Sequence, residues 1–327
     1  MALVSICIPA YKDARGVKRL LDSICSSDYA DVEVIITDDT PDDSVADAVR
    51  DCLSDIQTEA DDAFTGQLRC ASVDANPDVH YRHNAPGLGP AGNWNRSLDL
   101  AQGEYIKIMH QDDWFTFPDS LSRFVRMLDS NPDAVLAYCG SRQVTIKPDD
   151  PEDLSDYFDR CIKDENRALI EKDYRGLYIG QYIGAPSAVI YRRSDLRFDP
   201  NLKWLIDADF YMGLLKDGGR MVCSKDPLVS IGVSDTQLTN DCIASGEVNI
   251  REYKYVFNKF GLGEKQEYRD RLSDICVRYK GKYEDISDCG ITKEEYKPVL
   301  KAYRRELCDF YRHLIIRKLF PGKHFHE

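Results

Sequence analysis

Short, β-branched apolar runs alternate with amphipathic segments over the first half of the chain, and this alternation constrains the fold more than any other feature. The runs Val4–Ile8, Val32–Thr37 and Tyr105–Met109 are typical of short buried strands. Between the first two runs and after the second, residues 14–26 and 44–56 place apolar side chains about one helical turn apart. Strands that alternate with helices predict an α/β domain with a mostly parallel central sheet flanked by helices.

Weaker patterns extend this order along the chain. Residues 57–78 are polar and aperiodic, which indicates a loop or an insertion, and residues 150–180 indicate a loop with a short helix. The remaining predicted elements are strands at 79–82, 134–139 and 188–191 and helices at 91–101, 119–129 and 208–216. From about residue 245 the pattern is helical to the end, so we expect a first domain over 1–245 and a helical extension over 246–327.

Charge, cysteine usage and hydropathy exclude several classes of protein. The 327 residues include 43 basic and 56 acidic side chains, a net charge of −13 that would repel nucleic acid. No apolar run approaches the roughly 18–20 residues of a membrane-spanning helix. The 11 cysteines include no C-x-x-C pair, which argues against a zinc ribbon, and most lie in apolar runs. Because the first residues also lack the features of a signal peptide, we expect a cytoplasmic protein with reduced cysteines.

Polar clusters follow three of the predicted strands. The segments are Pro9–Asp13, Thr37–Ser44 and His110–Trp114. Parallel strands would bring these segments to one edge of the sheet, which is where α/β sheets bind ligands. Aspartates favour turns and helix starts for purely structural reasons, but three such clusters together indicate a divalent cation that could also hold a diphosphate.

The same segments resemble the inverting, nucleotide-sugar-dependent glycosyltransferases of family 2. The resemblance covers about residues 3–240 and rests on VSICIPAYKDA, VEVIITDDTPDDS, RHNAPGLGPAGNWNRSLDLAQGEYIKIMHQDDW and WLIDADF, in that order and spacing. It implies the GT-A fold, which is Rossmann-like, with a nucleotide-binding half over 1–115 and an acceptor-binding half over 116–245. It also implies assembly of a bacterial surface polysaccharide, such as capsule or lipopolysaccharide.

The resemblance implies a role for each matching residue of the donor site. UDP is the expected nucleotide because Asp39 would accept a hydrogen bond from a pyrimidine, although dTDP fits the same contact and GDP is an alternative. Asp113 and Asp112 would hold Mn²⁺ or Mg²⁺ on the diphosphate. The implied nucleotide-binding residues are Pro9, Ala10, Tyr11, Asp13, Asp39, Asn84, Gly92, Asn93 and Asp112.

On the acceptor side, the resemblance implies that Asp207 is the base that takes a proton from the attacking hydroxyl. Asp207 is also placed to be an ordinary helix N-cap, and Asp209 is a competitor for the role of base. Ser187 would belong to the acceptor wall, and Trp204 would stack on an acceptor sugar unless it is a core residue. The chain departs from the family pattern at His110, where an acidic residue is common.

Two further departures concern the base and the metal shell. Ile206 stands before the base where many members of the family have glutamate. The segment 231–239 contains no histidine that would complete the metal shell, so phosphate oxygens and water would supply the remaining ligands.

Three alternatives remain open at the level of sequence. Gly87–Gly92 spells G-x-G-x-x-G, the dinucleotide-binding pattern of an NAD-dependent oxidoreductase, but the preceding strand is short and polar. A sugar-1-phosphate nucleotidyltransferase would need a glycine-rich basic loop after the first strand, and residues 10–16 do not provide one. A non-catalytic nucleotide- or sugar-binding module of the same fold is the third alternative.

The last residues form the most basic segment of the chain. Seven basic side chains alternate with apolar and aromatic ones between residues 301 and 323. Such a helix either packs on its own domain or lies on an anionic membrane, so residues 300–327 are a candidate for peripheral membrane contact.

Taken together, the sequence and the resemblance predict a hexosyltransferase. Its expected partners are a nucleotide-sugar donor and a saccharide or lipid-linked acceptor, with no nucleic acid. The number of subunits is not predicted.

Overall fold

A computed structural model describes residues 2–60, 62–71, 76–234 and 242–319, with side chains to residue 312. The predicted α/β alternation is present. The strands are β1 (Val4–Ala10), β2 (Val32–Asp38), β3 (Leu53–Ala60), β4 (Ala63–Leu68), β5 (Asp78–His83), β6 (Tyr105–Ile108), β7 (Asp113–Phe115), β8 (Ala134–Thr145), β9 (Tyr157–Arg160), β10 (Val189–Arg192) and β11 (Arg220–Val233). The helices are α1 (Ala14–Cys25), α2 (Ser44–Asp51), α3 (Gly89–Leu100), α4 (Ser120–Asp129), α5 (Asp164–Lys172), α6 (Ile206–Leu215), α7 (Gly246–Lys259), α8 (Gln266–Arg278) and α9 (Lys293–Leu319).

One sheet of eleven strands organises the first part of the chain. Its order is β3-β4-β5-β2-β1-β6-β10-β8-β11-β7, and β9 pairs with β8. The centre, β5-β2-β1-β6, is entirely parallel, and β11 is parallel to β8. The hairpin β3-β4, the strand β10 and the edge strands β7 and β9 add antiparallel pairs. This is the GT-A type of α/β architecture implied by the resemblance.

The central strands form because their side chains are apolar on both faces. Every residue of β1 and β2 is buried, as expected for strands covered by helices on both sides. The register pairs Ala10 with Asp38 and Asp38 with His83, so the three strands end side by side. The polar segments that follow them therefore meet at one edge of the sheet.

Around α2, two adjacent stretches differ from the sequence prediction. The helix expected over 44–56 ends at Asp51, and residues 53–60 form β3, which pairs with β4. The apolar spacing of Leu53 and Ile56 resembles a continued helical face, but Leu53 is buried in the strand and Ile56 is exposed. Hydrogen bonding across the hairpin therefore overrides the local helical pattern, and residues 57–78 are not simply a loop.

The chain divides into two compact units, residues 1–237 and 238–327. The second unit consists of helices among its described residues, in line with the expected helical extension. The division of the first unit into a nucleotide half and an acceptor half at residue 115 stays a prediction. No helix within the described ranges is long and apolar enough to cross a membrane.

The cysteines differ in part from the expectation that all are reduced. Cys25 at the end of α1 forms a disulfide with Cys70. The expectation missed this pair because 45 residues separate the two cysteines along the sequence, whereas their Cα atoms lie 4.9 Å apart in the fold. Cys7 and Cys139 are free and buried, as their apolar surroundings predict.

Candidate active site

Four predicted nucleotide-binding residues form one hydrogen-bonded network at the ends of β1, β2 and β5. The Asn93 side chain, on α3, donates to the carbonyl oxygen of Ala10 at 3.1 Å. The Asn84 amide donates to Asp39 Oδ1 at 2.8 Å and to Asn93 Oδ1 at 3.0 Å. Asn84 and Asn93 are buried, so these bonds fix the segments at the sheet edge relative to one another.

Asp39 also holds the first turn of α3. Its Oδ1 accepts the backbone amide of Leu88 at 3.0 Å, and its Oδ2 accepts that of Gly89 at 2.7 Å. These are the helix N-terminal amides that a pyrophosphate would occupy in a dinucleotide-binding fold. Because a carboxylate of the chain itself takes them, the G-x-G-x-x-G stretch serves as the entry to a helix. Gly92 fits here because an added Cβ would come 2.8 Å from Leu88 Cβ.

The segment after β1 is bound to two neighbouring loops. Pro9 is buried in β1, whereas Tyr11 is 53% exposed and presents its ring to solvent. The Tyr11 amide donates to Gln111 Oε1 at 2.6 Å, and Gln111 Nε2 donates back to the Tyr11 carbonyl at 2.8 Å. Lys12 has a left-handed backbone with φ of 59°, and its amide donates to Thr40 Oγ1. The loop that carries Tyr11 is therefore held before any ligand binds.

Asp13 begins α1 and lies at the rim of a cavity. Its Oδ1 accepts the Gly16 amide at 2.9 Å, which makes it the helix N-cap. A Cβ at Gly16 would come 2.3 Å from Asp13 Oδ2 and 2.5 Å from the carbonyl oxygen of Gln111, so only glycine permits this approach. Asp13 and Asp112 both line the cavity, which has a volume of about 320 Å³.

His110, Asp112 and Asp113 form a cluster just beyond β6. Their ligand atoms lie within 4.8 Å of one another, and His110 Nδ1 is 3.9 Å from Asp113 Oδ2. Asp113 is only 2% exposed, and neither of its carboxylate oxygens has a hydrogen-bond partner within the described ranges. A buried carboxylate without a partner is costly. This donor set fits a divalent cation, which would supply the missing compensation.

Burial and like charge shape the electrostatics of this cluster. Burial raises the pKa of Asp113 well above its ordinary value, and the negative charge of Asp112 raises it further. Burial lowers the pKa of His110, which favours the neutral imidazole. The neighbouring Ser187 side chain, the Gly232 amide and Lys107 lower the pKa of Asp113, but by less than burial and Asp112 raise it. The surroundings of Asp113 therefore disfavour its charged form unless a further positive charge is supplied.

Ser187, which was predicted on the acceptor side, also supports this cluster. It is fully buried, and its Oγ accepts the His110 backbone amide at 2.9 Å. Beneath it, the buried Lys107 ammonium donates to the carbonyl oxygens of Ser187 and Val189 and lies 4.5 Å from the centre of the Phe124 ring. Burial lowers the pKa of Lys107 to about 7. A direct contact of Ser187 with an acceptor stays a prediction.

Asp207 lies in the first turn of α6. The helix N-cap is Leu205, so the alternative in which Asp207 is a plain N-cap is wrong. Burial raises the pKa of Asp207 to about 7, and its Oδ1 is buried with no hydrogen-bond partner in the described part of the chain. Asp209, the competing candidate, is 3% exposed. Asp207 thus has the pKa of a general base that works near neutral pH.

The segment from Gly184 to Ser187, which is predicted to face the acceptor, connects α6 to the cluster. Tyr211 of α6 donates to the carbonyl oxygen of Gly184 at 3.2 Å, and Gly184 precedes Ser187 in the same segment. Trp204 is partly buried, and its carbonyl oxygen accepts a hydrogen bond from Gln181. The geometry is compatible with both a core role and a stacking role for Trp204.

Sequence reasoning missed two residues of this site. Gln111 was assigned no role from the sequence, because its exchange of hydrogen bonds with Tyr11 depends on two loops meeting across the sheet edge. Lys107 lies in a segment that the sequence predicts to be a buried strand. Buried lysines are rare without a specific partner, so a lysine in such a strand could have indicated a functional or supporting role.

A sheet of this topology with a carboxylate cluster at its edge defines a GT-A type glycosyltransferase fold. The chain belongs to glycosyltransferase family 2, because the model described as Glycosyl transferase family 2 matches residues 5–198. The chain resembles the solved structure of S. aureus TarS 1–349 in complex with UDP-GlcNAc, with a TM-score of 0.57. The two are 14% identical, and the match covers 93% of this chain and 92% of that one. At this identity the likeness shows the fold alone.

Two curated bacterial relatives match shorter stretches. The abequosyltransferase RfbV of Salmonella typhimurium is 29% identical over 134 residues, which are 41% of this chain and 35% of the relative. A GalNAc(5)-diNAcBac-PP-undecaprenol beta-1,3-glucosyltransferase of Campylobacter jejuni is 26% identical over 113 residues, 35% of this chain and 30% of the relative. The chain spans less than two thirds of the length of the curated relatives that it matches.

Proposed function

We propose that the chain is a metal-dependent, inverting glycosyltransferase that moves a sugar from a nucleoside-diphosphate sugar to a saccharide or lipid-linked acceptor. The observation that carries the proposal is the buried Asp113 carboxylate, which has no hydrogen-bond partner among the described residues and lies in a cluster that fits a divalent cation. Family membership and the hydrogen-bonded network at the neighbouring strand ends support the same site.

In this proposal the nucleotide binds across the ends of β1, β2 and β5. The Tyr11 ring is the candidate to stack on a base, which would replace or face the Lys12 ammonium that lies 4.8 Å from the ring centre. Asp39 is the candidate partner of a pyrimidine. Asp39 already accepts hydrogen bonds from Asn84, Leu88 and Gly89, so its position is fixed before the base arrives. A fixed acceptor costs little ordering entropy on binding, which favours affinity.

Asp113 and Asp112 would hold the cation, Mn²⁺ or Mg²⁺. When bound, it acts as a Lewis acid and stabilises the charge of the departing nucleoside diphosphate. Ser187 and Lys107 hold the backbone around the cluster, so the carboxylates are placed before the donor binds.

Asp207 would take the proton from the acceptor hydroxyl. As the hydroxyl oxygen bonds to the anomeric carbon, the bond from that carbon to the diphosphate oxygen breaks with inversion, and the proton passes to the Asp207 carboxylate. A pKa of about 7 leaves the carboxylate largely ionised above neutral pH while keeping it a usable base.

UDP is the nucleotide we propose first, and dTDP and GDP are the alternatives to be compared. The TarS structure contains UDP-GlcNAc, and its fold matches this chain. For the acceptor, the Campylobacter relative is named for an undecaprenol-linked saccharide and the Salmonella relative for transfer of abequose. These names support a saccharide or lipid-linked acceptor. On the sequence resemblance we further propose a role in bacterial surface polysaccharide assembly, either capsule or lipopolysaccharide.

A donor-hydrolysis assay tests the proposal. The full chain is incubated with UDP-, dTDP- and GDP-sugars, each with Mn²⁺, Mg²⁺ or EDTA, and release of the nucleoside diphosphate is measured. We expect slow, metal-dependent release from one nucleotide class. We expect Asp207→Asn to transfer almost no sugar to any acceptor. Binding of a nucleotide without any turnover would instead favour the non-catalytic module.

The basic helix α9 is part of the proposal as a peripheral membrane contact over residues 300–327. Phe310 and Tyr311 are 58% and 57% exposed, and Arg304, Arg305 and Arg312 lie on the same helix. Residues 320–327 lie outside the described ranges. We expect a chain truncated after residue 299 to co-sediment less with anionic vesicles than the full chain, and equal co-sedimentation would favour a packing role.

We propose the cytoplasmic face of the membrane as the site of action, where a peripheral helix would meet a lipid-linked acceptor. The Cys25–Cys70 disulfide counts against a reducing compartment. Counting free thiols in protein isolated under acidic quenching would decide whether that disulfide exists in the cell.

A further inference from the structure

We propose that His110 is a nitrogen ligand of the divalent cation, so that the site selects a transition-metal ion such as Mn²⁺ or Co²⁺ over Mg²⁺. The inference rests on the proposed function, because it concerns the cation of the same site. It assigns a role to the position at which this chain departs most clearly from its family.

The spacing of the cluster fits an ion between His110 and Asp113. His110 Nδ1 is 3.9 Å from Asp113 Oδ2, which is too long for a hydrogen bond. Two metal–ligand bonds of about 2.1 Å together span up to about 4.2 Å. A cation between these two atoms therefore needs little movement of either side chain, and Asp112 offers a third ligand atom within the same cluster.

The Asp113 carboxylate lacks other partners. Both of its oxygens are buried without hydrogen bonds to any described residue. A histidine and an aspartate that served only to pair with each other would be expected at hydrogen-bond distance, about 2.7–2.9 Å. The observed gap is more consistent with a shared ligand than with a direct ion pair.

Neighbouring groups hold the His110 ring in place. The Trp94 ring lies 4.9 Å from the imidazole, centre to centre, and the Phe198 ring braces Trp94 at 4.8 Å in an edge-on contact. Ser187 Oγ fixes the His110 backbone. Supporting contacts of this kind orient a metal ligand and are part of its affinity.

The chemistry of the donor set gives the selectivity. Mg²⁺ strongly prefers oxygen ligands in a regular octahedron and keeps several of its waters. An imidazole nitrogen favours first-row transition ions, whose affinities rise from Mn²⁺ to Co²⁺ and Ni²⁺. One imidazole with two carboxylates should therefore bind Mn²⁺ and Co²⁺ better than Mg²⁺, whereas three carboxylates would narrow that difference.

Electron spin-echo spectroscopy of the full chain with UDP and Mn²⁺ tests the assignment directly. We expect modulation from a directly bound ¹⁴N, which changes when histidine is labelled with ¹⁵N. His110→Asp and His110→Ala should lose the signal, whereas His80→Asn, which removes an imidazole in β5, should keep it. By calorimetry with UDP present, His110→Asp should reduce the ratio of Mn²⁺ to Mg²⁺ affinity at least about tenfold.

The outcomes separate this inference from the proposed function. If Mn²⁺ and UDP bind together but no nitrogen modulation is seen in the wild-type chain, His110 is not a ligand and the donor site stands. If the chain binds no nucleoside diphosphate with any cation, the proposed function itself fails. The wild-type ¹⁵N comparison decides the question even if a His110 variant does not fold.

Discussion

Two aspartates that follow the strands on either side of β1 have opposite environments. Asp39, which follows β2, accepts hydrogen bonds from Asn84, Leu88 and Gly89. Asp113, just beyond β6, is almost fully buried, and its oxygens accept none from the described residues. The first carboxylate is therefore already part of the scaffold, whereas the cation that we propose would compensate the second.

The comparison predicts its largest effect at Asp113. Asp113→Asn removes the charge that holds the cation, and metal stabilisation of a leaving diphosphate is worth several kcal/mol, so turnover should fall at least about 10³-fold. Because the substitution also removes a costly buried charge, the melting temperature should not fall. Turnover and melting measured together check this; normal turnover would show that Asp113 holds no essential cation.

Asp207→Asn should reduce transfer by about 10²–10⁴-fold while leaving UDP affinity unchanged. For the wild type, the base must be ionised, so the transfer rate should fall as the pH drops through about 7. The pKa of Asp207 in the fold lies above its value in the unfolded chain. The stability that the protonated group contributes is therefore lost as the pH rises through about 7. Asp207→Asn should consequently melt at a higher temperature than the wild type at pH 8. A flat pH–rate profile would argue against Asp207 as the base.

Asp39→Ala should act first on stability. It removes three hydrogen bonds to a charged acceptor, at a cost of about 1–3 kcal/mol, or about 2–4 °C in melting temperature for each kcal/mol. Asp42→Ala, at an exposed position of the same segment, is the matched control and should have little effect. If Asp39→Ala and Asp42→Ala have the same melting temperature, the hydrogen bonds of Asp39 do not stabilise the fold, and the contrast with Asp113 fails.

Lys107→Met should have an effect on stability that depends on pH. Burial lowers the pKa of Lys107 to about 7, so above that pH the unfolded chain binds more protons than the folded one. The wild type should therefore gain stability relative to Lys107→Met between pH 7 and 9, by at most about 1.4 kcal/mol per pH unit. Denaturant titrations at the two pH values measure the difference; a constant difference would mean that Lys107 stays charged when buried.

The sequence predicted β1, β2 and β6 well because each of them is a short, mostly apolar run, whereas β5 is polar and gave only a weak pattern. It missed β11, whose segment contains Pro227 and several polar residues, because that strand is defined by its long pairing with β8. It extended α2 too far because the spacing of Leu53 and Ile56 matches a helix. Pairing across distant segments decided each of these cases.

The candidate site shows the same limit. Strand-end aspartates such as Asp39 and Asp113 were found from their position after apolar runs, and their family resemblance assigned them similar donor-site roles. Their different environments depend on which amides the fold brings near each carboxylate, and local sequence does not contain that information. Likewise, Ser187 was predicted for the acceptor, and only the fold shows its bond to the His110 amide.

Calorimetric titration of UDP into the full chain, with and without Mn²⁺, tests whether Asp113 holds a cation that binds the nucleotide. We expect tight binding with Mn²⁺ and much weaker binding with EDTA. The metal-dependent part should be lost in Asp113→Asn but not in Asp42→Ala. Equal UDP binding with and without the cation, or an unchanged metal dependence in Asp113→Asn, would contradict this assignment.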